Sequence, residues 1–506
     1  MEIDALTVEF APPSCPAVDG RHHADAAAGN AAVAQDAIDV LRDAMSGSAP
    51  VDRVLLKAAA GAGKSFVLRR LVADAVAYRP GMRIVVVAFA NKQIHPLAAA
   101  LGAELGQDRV CLFVAKDRIA DVPAEARTNA TVVSTTSGIP AGCAVVIATA
   151  HKLGAIGELK RLRDHLGVAG DGASPFDVLL VDEAWQLPHH LFDRIAKAAP
   201  VAVGVGDVGQ LPPLEIGSNP WRGDPGFNPY RAWPTAFDGD ERTWAAELPA
   251  VWRPAAGHLE LWRAFYPEWD ELHCVAAPGD RAVVTDGLNG AAGAVWGQVG
   301  TGVPTLLEVA GLPDAEAADV DLPLLEVVER LLDELLTCRF SLVTAAYDNN
   351  GKPNGVKLIA GAGGHPGDPL VAVLATRNQA VDDATDMVER LRAKHGRTET
   401  ELVASTVDSW QGQTNGITVA IHPLTGAAEL DAFNSAFGRL AVACTRATHG
   451  LLLVARPGLD ELLTGAPARP GTPFGEPGKR HLPRQTHQRI LAAFARGTLT
   501  VNTAAN

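Results

Sequence analysis

The residues best suited to chemistry in this chain form a glycine-lysine-serine sequence that follows a short apolar run. The stretch Arg53-Val-Leu-Leu-Lys-Ala-Ala-Ala-Gly-Ala-Gly-Lys-Ser65 predicts a buried strand, a loop of small residues and the start of a helix. Bare backbone N–H groups at a helix N-terminus can cradle phosphate, so Gly61, Ala62 and Gly63 are candidate binding residues. Lys64 would reach the outer phosphates, and the Ser65 hydroxyl would bind Mg²⁺.

The pattern Gly-x-x-x-x-Gly-Lys-Ser is incomplete, because Ala58 stands where its first glycine is expected. Alanine is acceptable there if the backbone needs no positive φ. The alternative is a chance Gly-Lys-Ser at the start of an ordinary helix.

A pair of acids, Asp182 and Glu183, follows another apolar run. In phosphoryl transfer one carboxylate can hold Mg²⁺ while its neighbour polarises the attacking water. Acids are common at strand ends, so the pair gains meaning from its combination with Lys64 and Ser65.

Continuous apolar runs alternate with helical patterns along the chain, which predicts an α/β fold with parallel sheets covered on both faces. In such sheets ligands bind at the carboxyl ends of the strands, where the polar clusters fall. The predicted strands are 54–56, 83–88, 144–148, 176–182, 201–205, 370–375, 417–421 and 451–454.

Composition shifts predict two similar α/β units in tandem with extensions at both ends. The expected segments are a poorly ordered arm at 1–33, a first domain at 34–247 with a small insertion at about 97–142, a second domain at 248–463 with an insertion at about 270–368, and a Pro/Gly linker with a short basic helix (Arg484–Arg496) within 464–506.

The overall composition limits the possible partners of the chain. It has 506 residues and a net charge of −14, so any nucleic-acid contact should be confined to a locally basic groove. Its six cysteines lie far apart, which supports neither a metal framework nor disulfides. No signal sequence or membrane-length apolar run is evident, and the default expectation is a soluble cytoplasmic protein.

Six further sequence motifs occur in an order that resembles superfamily 1 helicases. Asp182–Gln186 and Gly206–Pro213 resemble motifs II and III, and Gln-Leu-Pro-Pro resembles the branch containing the nonsense-mediated-decay helicase and its DNA-acting relatives. The remaining matches are 248–254 (motif IV), 374–379 (the strand end after it), 405–412 (motif V) and 441–447 (motif VI).

This resemblance implies two tandem RecA-like P-loop domains with ATP and Mg²⁺ in the cleft between them. The roles carried over are adenine recognition by Gln35 and stacking by Trp252, Mg²⁺ binding by Ser65 and Asp182, general base catalysis by Glu183, γ-phosphate sensing by Gln210, arginine fingers at Arg253 and Arg446, and nucleotide contacts from Gln411 and Gly412. Trp252 has a plainer alternative as a core residue beside an exposed arginine.

The resemblance also implies contacts with single-stranded nucleic acid, with a slight preference for DNA over RNA. The matching residues are Phe89, Asn91, Lys92, Thr149, His151 and Thr406. Aromatic residues in the loop 221–244 either stack on bases or form a small core of their own. The basic C-terminal helix either docks on a partner or is a solvated appendage.

The function implied is an ATP-dependent helicase or translocase, with 5′→3′ movement carried over from the branch. The alternative is an ATP-gated clamp that grips nucleic acid or a protein without separating strands.

Overall fold

The computed structural model describes residues 8–209, 213, 228–269, 271–317, 319–338, 340–361, 368–430, 434, 437–466 and 483–501. These residues form two compact units. We call residues 29–248 the first unit, and the described parts of 8–28, 249–466 and 483–501 the second unit. No helix in the described ranges is both long enough and apolar enough to cross a membrane.

The first unit is built on an eight-stranded sheet in which every strand pair is parallel. Its order is β5-β4-β6-β3-β7-β8-β2-β9. The strands are β2 (Arg53–Ala58), β3 (Ile84–Ala88), β4 (Val110–Phe113), β5 (Thr131–Val133), β6 (Val145–Thr149), β7 (Val178–Asp182), β8 (Val201–Gly206) and β9 (Thr243–Leu248).

Helices cover this sheet, and β3 and β6 are therefore buried along their whole length. The helices are α1 (His23–Ser46), α2 (Lys64–Tyr78), α3 (Asn91–Leu105), α4 (Ala124–Asn129), α5 (Ala150–Leu153), α6 (Glu158–Leu166) and α7 (His189–Ile195). The parallel arrangement places the carboxyl ends of β2, β8 and β7 side by side.

The region 97–142 does not form a separate inserted subdomain. Its strands β4 and β5 extend the main sheet beyond β6, and Cys111, Leu112 and Phe113 of β4 are fully buried. The sequence obscured this because β4 and β5 are short and lie between helical turns.

The second unit is built on a seven-stranded sheet in the order β1-β20-β13-β19-β18-β16-β17, parallel except for the pair β1–β20. Its strands are β1 (Phe10–Ala11), β13 (Thr305–Ala310), β16 (Val371–Ala375), β17 (Leu402–Thr406), β18 (Asn415–Ile421), β19 (Ala447–Ala455) and β20 (Ala495–Thr500). The two α/β units with large parallel sheets confirm the predicted fold class.

Two smaller sheets accompany the main sheet of the second unit. One is the parallel pair β10 (Ala250–Val251) and β11 (His273–Cys274). The other is antiparallel and contains β12 (Arg281–Val284), β14 (Ser341–Tyr347) and β15 (Pro353–Ala360). The helices are α8 (Leu259–Phe265), α9 (Gly290–Gly300), α10 (Leu322–Thr337), α11 (Asn378–His395), α12 (Gly438–Cys444), α13 (Leu459–Gly465) and α14 (Pro483–Leu491).

The region 270–368 is only partly an insertion. The antiparallel sheet β12–β14–β15 stands apart from the main sheet, but β13 lies between β20 and β19. Helix α10 of this region is capped by the Asp321 side chain and is buried against the core of the second unit.

Residues 8–33 do not form a poorly ordered arm. Phe10 pairs with Gly497 in the main sheet of the second unit, and α1 begins at His23, inside the segment expected to be the arm. A Cβ at Gly497 would lie 2.7 Å from the Phe10 ring, so the glycine makes room for this ring. Composition alone does not reveal such a long-range fit.

The C-terminal segment is also part of the second unit rather than a detachable basic helix. Helix α14 ends at Leu491, and Arg489 donates a hydrogen bond to the Ala264 carbonyl (2.9 Å). Arg496 belongs to β20 and pairs with Glu308 (3.2 Å) and Asp460 (2.8 Å). These basic side chains are therefore used inside the unit, which leaves the suggested protein partner without support.

The described aromatic residues Trp233 and Phe237 of the loop before β9 pack into the main hydrophobic core of the first unit and do not form a separate small core. Trp233 is fully buried and stacks on Phe192 with ring centroids 4.0 Å apart, and Phe237 packs edge-on against both rings. Trp221 and Phe227 lie outside the described residues.

Because Leu499 on β20 is fully buried in the main core, Leu499→Ala should destabilise the second unit by about 2–5 kcal/mol. Thr498→Ala is the matched control, since Thr498 is the exposed neighbour on the same strand. Urea unfolding of the full chain measures both variants. Equal midpoints would contradict the placement of β20 in the core.

Candidate functional site

The glycine-rich loop connects β2 to α2 in the first unit. Gly61 and Gly63 have φ angles of 76° and 91°, in the left-handed region that favours glycine. Gly63 is the N-cap of α2 and has no side-chain cap, which leaves the first N–H groups of the helix for a ligand. Ala58 is the buried last residue of β2 and lacks a positive φ, so its methyl group causes no backbone strain.

Asn30 of α1 holds this loop from the side. Its amide Nδ2 donates a buried hydrogen bond of 2.9 Å to the Ala62 carbonyl. Asn30 was not among the predicted site residues, although it is a polar residue on an apolar stripe of α1 that includes Ala26, Ala34 and Ile38.

Lys64 lies between two carboxylates that come from neighbouring strands. Its Nζ is 3.1 Å from Glu183 Oε1 and 3.7 Å from Asp207 Oδ2. Glu183 directly follows β7, and Asp207 directly follows β8. Because β2, β8 and β7 are adjacent and parallel, their carboxyl ends bring these three charges together.

Asp207 is a second residue that the sequence analysis did not select. Its side chain is completely buried, and its Oδ1 accepts the Gly209 N–H at 2.9 Å. Asp207 lies within the stretch that resembles motif III, in which Gln210 is the residue with an implied role. Gln210 lies outside the described residues.

Glu183 has the backbone conformation of a strained residue. Its φ of 50° is positive, which costs a non-glycine residue about 1–2 kcal/mol. The turn is held by two hydrogen bonds: Glu183 N–H donates to Asp182 Oδ1 (3.0 Å), and Gln186 N–H donates to the Glu183 carbonyl (2.8 Å). Such strain is typical of functional positions.

The carboxylates are suited to a cation and a water molecule. Burial, then the negative charge of Glu183, raises the pKa of Asp182 to about 7, whereas the positive charge of Lys64 opposes this shift. The second oxygen of Glu183, Oε2, is buried and has no hydrogen-bond partner among the described residues. Oxygen ligands of this kind suit Mg²⁺, which commonly binds one or two carboxylates together with substrate phosphates.

Phe89 and His151, two of the residues predicted to contact nucleic acid, lie against each other at the carboxyl ends of β3 and β6. Their ring centroids are 5.6 Å apart, because β3 and β6 pair with Ala88 opposite Thr149. Asn91 and Lys92 form the first turn of α3. Thr149 is buried, and its hydroxyl caps α5 by accepting the Lys152 N–H at 3.2 Å.

Two glutamine side chains, Gln93 and Gln186, connect the loop after β3 with the turn that contains Glu183, and we call this pair the amide relay. Gln93 Oε1 accepts the Ala90 N–H (2.8 Å), and Gln93 Nε2 donates to Gln186 Oε1 (3.0 Å). Gln186 in turn belongs to the turn that contains Glu183. Neither glutamine was selected from the sequence, because Gln is common in helices and loops.

The two predicted arginine fingers converge within the second unit. Arg253 Nη1 donates to the Thr445 carbonyl (3.1 Å), and Arg446 Nη2 donates to the Thr445 hydroxyl (3.0 Å). Arg446 is almost completely buried and also donates to the carbonyls of Val442 (3.2 Å) and Gln413 (3.4 Å).

The second unit also contains the other residues predicted to contact the nucleotide, and one predicted to contact nucleic acid. Trp252 is partly buried against Ala26 and Ala27, and its carbonyl accepts a hydrogen bond from Arg281 (2.9 Å). Gly412 has a φ of 86°, and Gln411 Nε2 is buried without a hydrogen-bond partner in the described ranges. Thr406 ends β17 and accepts the Ser409 N–H.

Gln35 is not joined to the glycine-rich loop by any described contact. It is exposed on α1 and donates to Asp39, one turn further along the same helix (3.0 Å). Five residues separate it from Asn30, which turns it about 140° away from the side of the helix that holds the loop. The structure thus gives Asn30, and not Gln35, the contact from α1.

Comparison with known proteins gives a domain match and likenesses to solved structures. Residues 42–215, roughly a third of the chain, match the family model of an AAA domain. No curated protein sequence matches the chain. The matched stretch includes the glycine-rich loop, Lys64 and the three carboxylates around it.

The solved structures similar to this chain include two helicases. The PRRSV helicase aligns with 84% of this chain and 58% of its own, at 16% identity and a TM-score of 0.36. The DUF1998 helicase MrfA, solved bound to DNA, aligns with 90% of this chain and 51% of its own, at 10% identity and a TM-score of 0.42. This chain therefore spans little more than half the length of either structure.

The raised pKa of Asp182 predicts a pH-dependent stability in the metal-free protein. Between about pH 4 and 7 the native state keeps a proton that the unfolded state releases, so stability should fall as pH rises by up to about 1.4 kcal/mol per pH unit. Asp182→Asn should remove this loss and be more stable than wild type at pH 8, but not at pH 4.

Urea unfolding at both pH values measures this difference. The control is Asp164→Asn, at an exposed position on α6. A stability difference between Asp182→Asn and wild type that is the same at pH 4 and 8 would contradict the prediction.

Proposed function

We propose that this chain is an ATP-dependent translocase of the helicase type, which hydrolyses ATP while it moves on single-stranded nucleic acid. The observation that supports this most directly is Lys64 at the end of a glycine-rich loop, held between Glu183 and Asp207. The AAA-domain match over the same residues supports the nucleotide part of the proposal.

Lys64 changes partner in this mechanism. Without nucleotide its ammonium group neutralises Glu183 and Asp207. Phosphate oxygens bound at the N-terminus of α2 compete for that ammonium group, and Glu183 then becomes free to accept a proton. The unpartnered Glu183 Oε2 is the atom we assign to the attacking water.

The metal has a defined place in this proposal. Bound Mg²⁺ would neutralise charge on the outer phosphates, and Ser65 and Asp182 are the residues that would hold it. The high pKa of Asp182 reflects a buried carboxylate with too little positive charge around it, which a divalent cation would correct.

Arg253 and Arg446 are proposed as the residues that stabilise charge on the transferred phosphoryl group. Planar guanidinium groups suit phosphate oxygens, and such arginines can contribute about 10³-fold or more to turnover. Both donate to Thr445, so a single residue can coordinate their positions. Trp252, Gln411 and Gly412 are the proposed contacts for the rest of the nucleotide.

The nucleic-acid strand is proposed to contact Phe89, Asn91, Lys92 and His151 in the first unit and Thr406 in the second. Aromatic stacking and phosphate contacts of this type carry little sequence information. The direction 5′→3′ follows only from the resemblance to the branch that contains the nonsense-mediated-decay helicase and its DNA-acting relatives. It is proposed on that basis, together with a slight preference for DNA over RNA.

Substitution of Lys64 or Glu183 tests the ATP site. Lys64→Ala and Glu183→Gln should each reduce ATP turnover by roughly 10²–10³-fold or more, because charge stabilisation or water activation is lost. Lys57→Ala, on β2 beside the loop, is the matched control and should retain wild-type turnover, since Lys57 pairs with Glu247.

The same variants distinguish a motor from a clamp. Strand displacement should require ATP and disappear in Lys64→Ala. ATP turnover and nucleic-acid binding without any displacement or movement would favour an ATP-gated clamp. Wild-type turnover in Lys64→Ala would reject the site assignment.

The amide relay offers a route by which nucleic acid bound at the proposed contact residues would change the rate of ATP hydrolysis. Gln93→Leu removes the hydrogen bonds to Ala90 and Gln186 with little change in volume. We expect basal ATP turnover to stay within about twofold of wild type, while stimulation by single-stranded nucleic acid falls by about tenfold, corresponding to about 1.4 kcal/mol of lost coupling.

A double-mutant cycle with Gln186→Leu separates coupling from simple destabilisation. If the relay carries the coupling, the double variant should be no worse than either single variant. Additive losses of stimulation would show that the two glutamines act independently.

A further inference from the structure

A groove on the first unit begins three residues after the predicted strand contact His151. We call it the α6 groove and define it by Gly154, Ile156, Leu159, Lys160 and Arg194, which line a space of about 460 Å³ together with Ala155 and Gly157. The short helix α5 leads directly from His151 into it.

The lining of the α6 groove is basic although the chain as a whole is acidic. Lys160 and Arg194 are exposed, and neither has an ion-pair partner among the described residues. None of the described lining residues is acidic. Glu158, the nearest acid on α6, is buried and hydrogen-bonded to Arg161 at 2.9 Å, so it does not compete for a ligand of the groove.

The strand-end residue His151 lies within the electrostatic influence of Arg194. Burial, then the positive charges of Arg194 and His190, lowers the pKa of His151, which places these side chains in one electrostatic neighbourhood. His151 in turn contacts Phe89. A polyanion on Phe89 and His151 would therefore meet Arg194 and Lys160 next.

An apolar side chain is held fully exposed at the rim of the groove. Ile156 is 97% exposed, yet its turn is well fixed. Arg161 Nη2 donates to the Ile156 carbonyl (3.2 Å), Glu158 N–H donates to the Ala155 carbonyl (2.9 Å), and Gly157 has a φ of 75°.

The turn also fits tightly against α7, which contributes Arg194. A Cβ at Gly154 would lie 3.1 Å from Arg194 Cβ and 3.3 Å from Ile195 Cγ2. This contact fixes the position of the turn relative to the basic side chain. The rim is thus packed against the helix segment that carries Arg194.

From these observations we infer that the α6 groove binds the sugar-phosphate backbone of the nucleic-acid strand beyond His151, with Ile156 contacting a base. Lys160 and Arg194 bind phosphates, which gives affinity without sequence preference. An apolar side chain such as Ile156 can pack against an unstacked base. The inference deepens the proposed function and rests on it, since it extends the strand path already proposed for Phe89 and His151.

The test measures the affinity of single-stranded oligothymidylate for the full chain by fluorescence anisotropy at several salt concentrations. Lys160→Ala and Arg194→Ala should each weaken binding by about fivefold at 0.1 M salt, and the double variant by about 25-fold. The slope of log affinity against log salt should decrease by about 0.7 for each lost contact. Arg109→Ala is the matched control, because Arg109 is an exposed arginine before the amino end of β4, outside the groove.

Ile156→Ser tests the apolar contact separately. It should weaken oligonucleotide binding several-fold without changing the salt slope, since no charge is removed. Thermal unfolding of each variant verifies that the fold is retained, and basal ATP turnover should be unchanged in all of them.

The outcomes separate this inference from the proposed function. If wild type binds oligothymidylate but the groove variants bind it as well as Arg109→Ala does, the groove inference is wrong and the proposed function stands. If wild type neither binds oligonucleotides nor gains ATP turnover from them, both fail. Loss of polyglutamate binding with unchanged oligonucleotide binding would assign the groove to an acidic protein segment instead.

Discussion

The ion-pair contacts of Lys64 with Glu183 and Asp207 are the interaction on which the first unit's chemistry depends. All three groups are at most partly exposed, so each charge needs the others in the absence of ligand. A phosphate at the adjacent helix N-terminus would redistribute these partners. The strained Glu183 and the partly buried Asp182 are held by the same turn, which would link phosphate binding to the position of the proposed base.

The parallel sheet of the first unit would allow the proposed phosphate contacts and the proposed nucleic-acid contacts to influence each other. Residues after β3, β6, β7 and β8 all lie at one edge, because parallel strands end on the same side. Gln93 and Gln186 connect the loop after β3 with the turn after β7. The α6 groove continues the same surface from His151, so hydrolysis, coupling and strand binding are proposed to share one scaffold.

The second unit is held together by contacts between residues that are far apart in the sequence. Its sheet is completed by β1 and β20, which come from opposite ends of the described chain and pair with each other. Thr445 receives hydrogen bonds from both Arg253 and Arg446, although about 190 residues separate the two arginines. Residues that looked like extensions of the domain are therefore part of its core.

By itself the sequence determined the α/β class, the glycine-rich loop and the acids after β7, because continuous apolar strands and short motifs are local patterns. Tertiary structure decided which other polar residues contact the glycine-rich loop, Lys64 and the turn after β7. Asn30, Gln93, Gln186 and Asp207 acquire their contacts from strand order and from helix rotation, neither of which is encoded in a local motif. The same reason applies to Phe10, which is partly buried, and to Leu499, which is fully buried. Each packs against partners far away in the sequence, so composition near the termini indicated disorder or an appendage where the fold has a sheet.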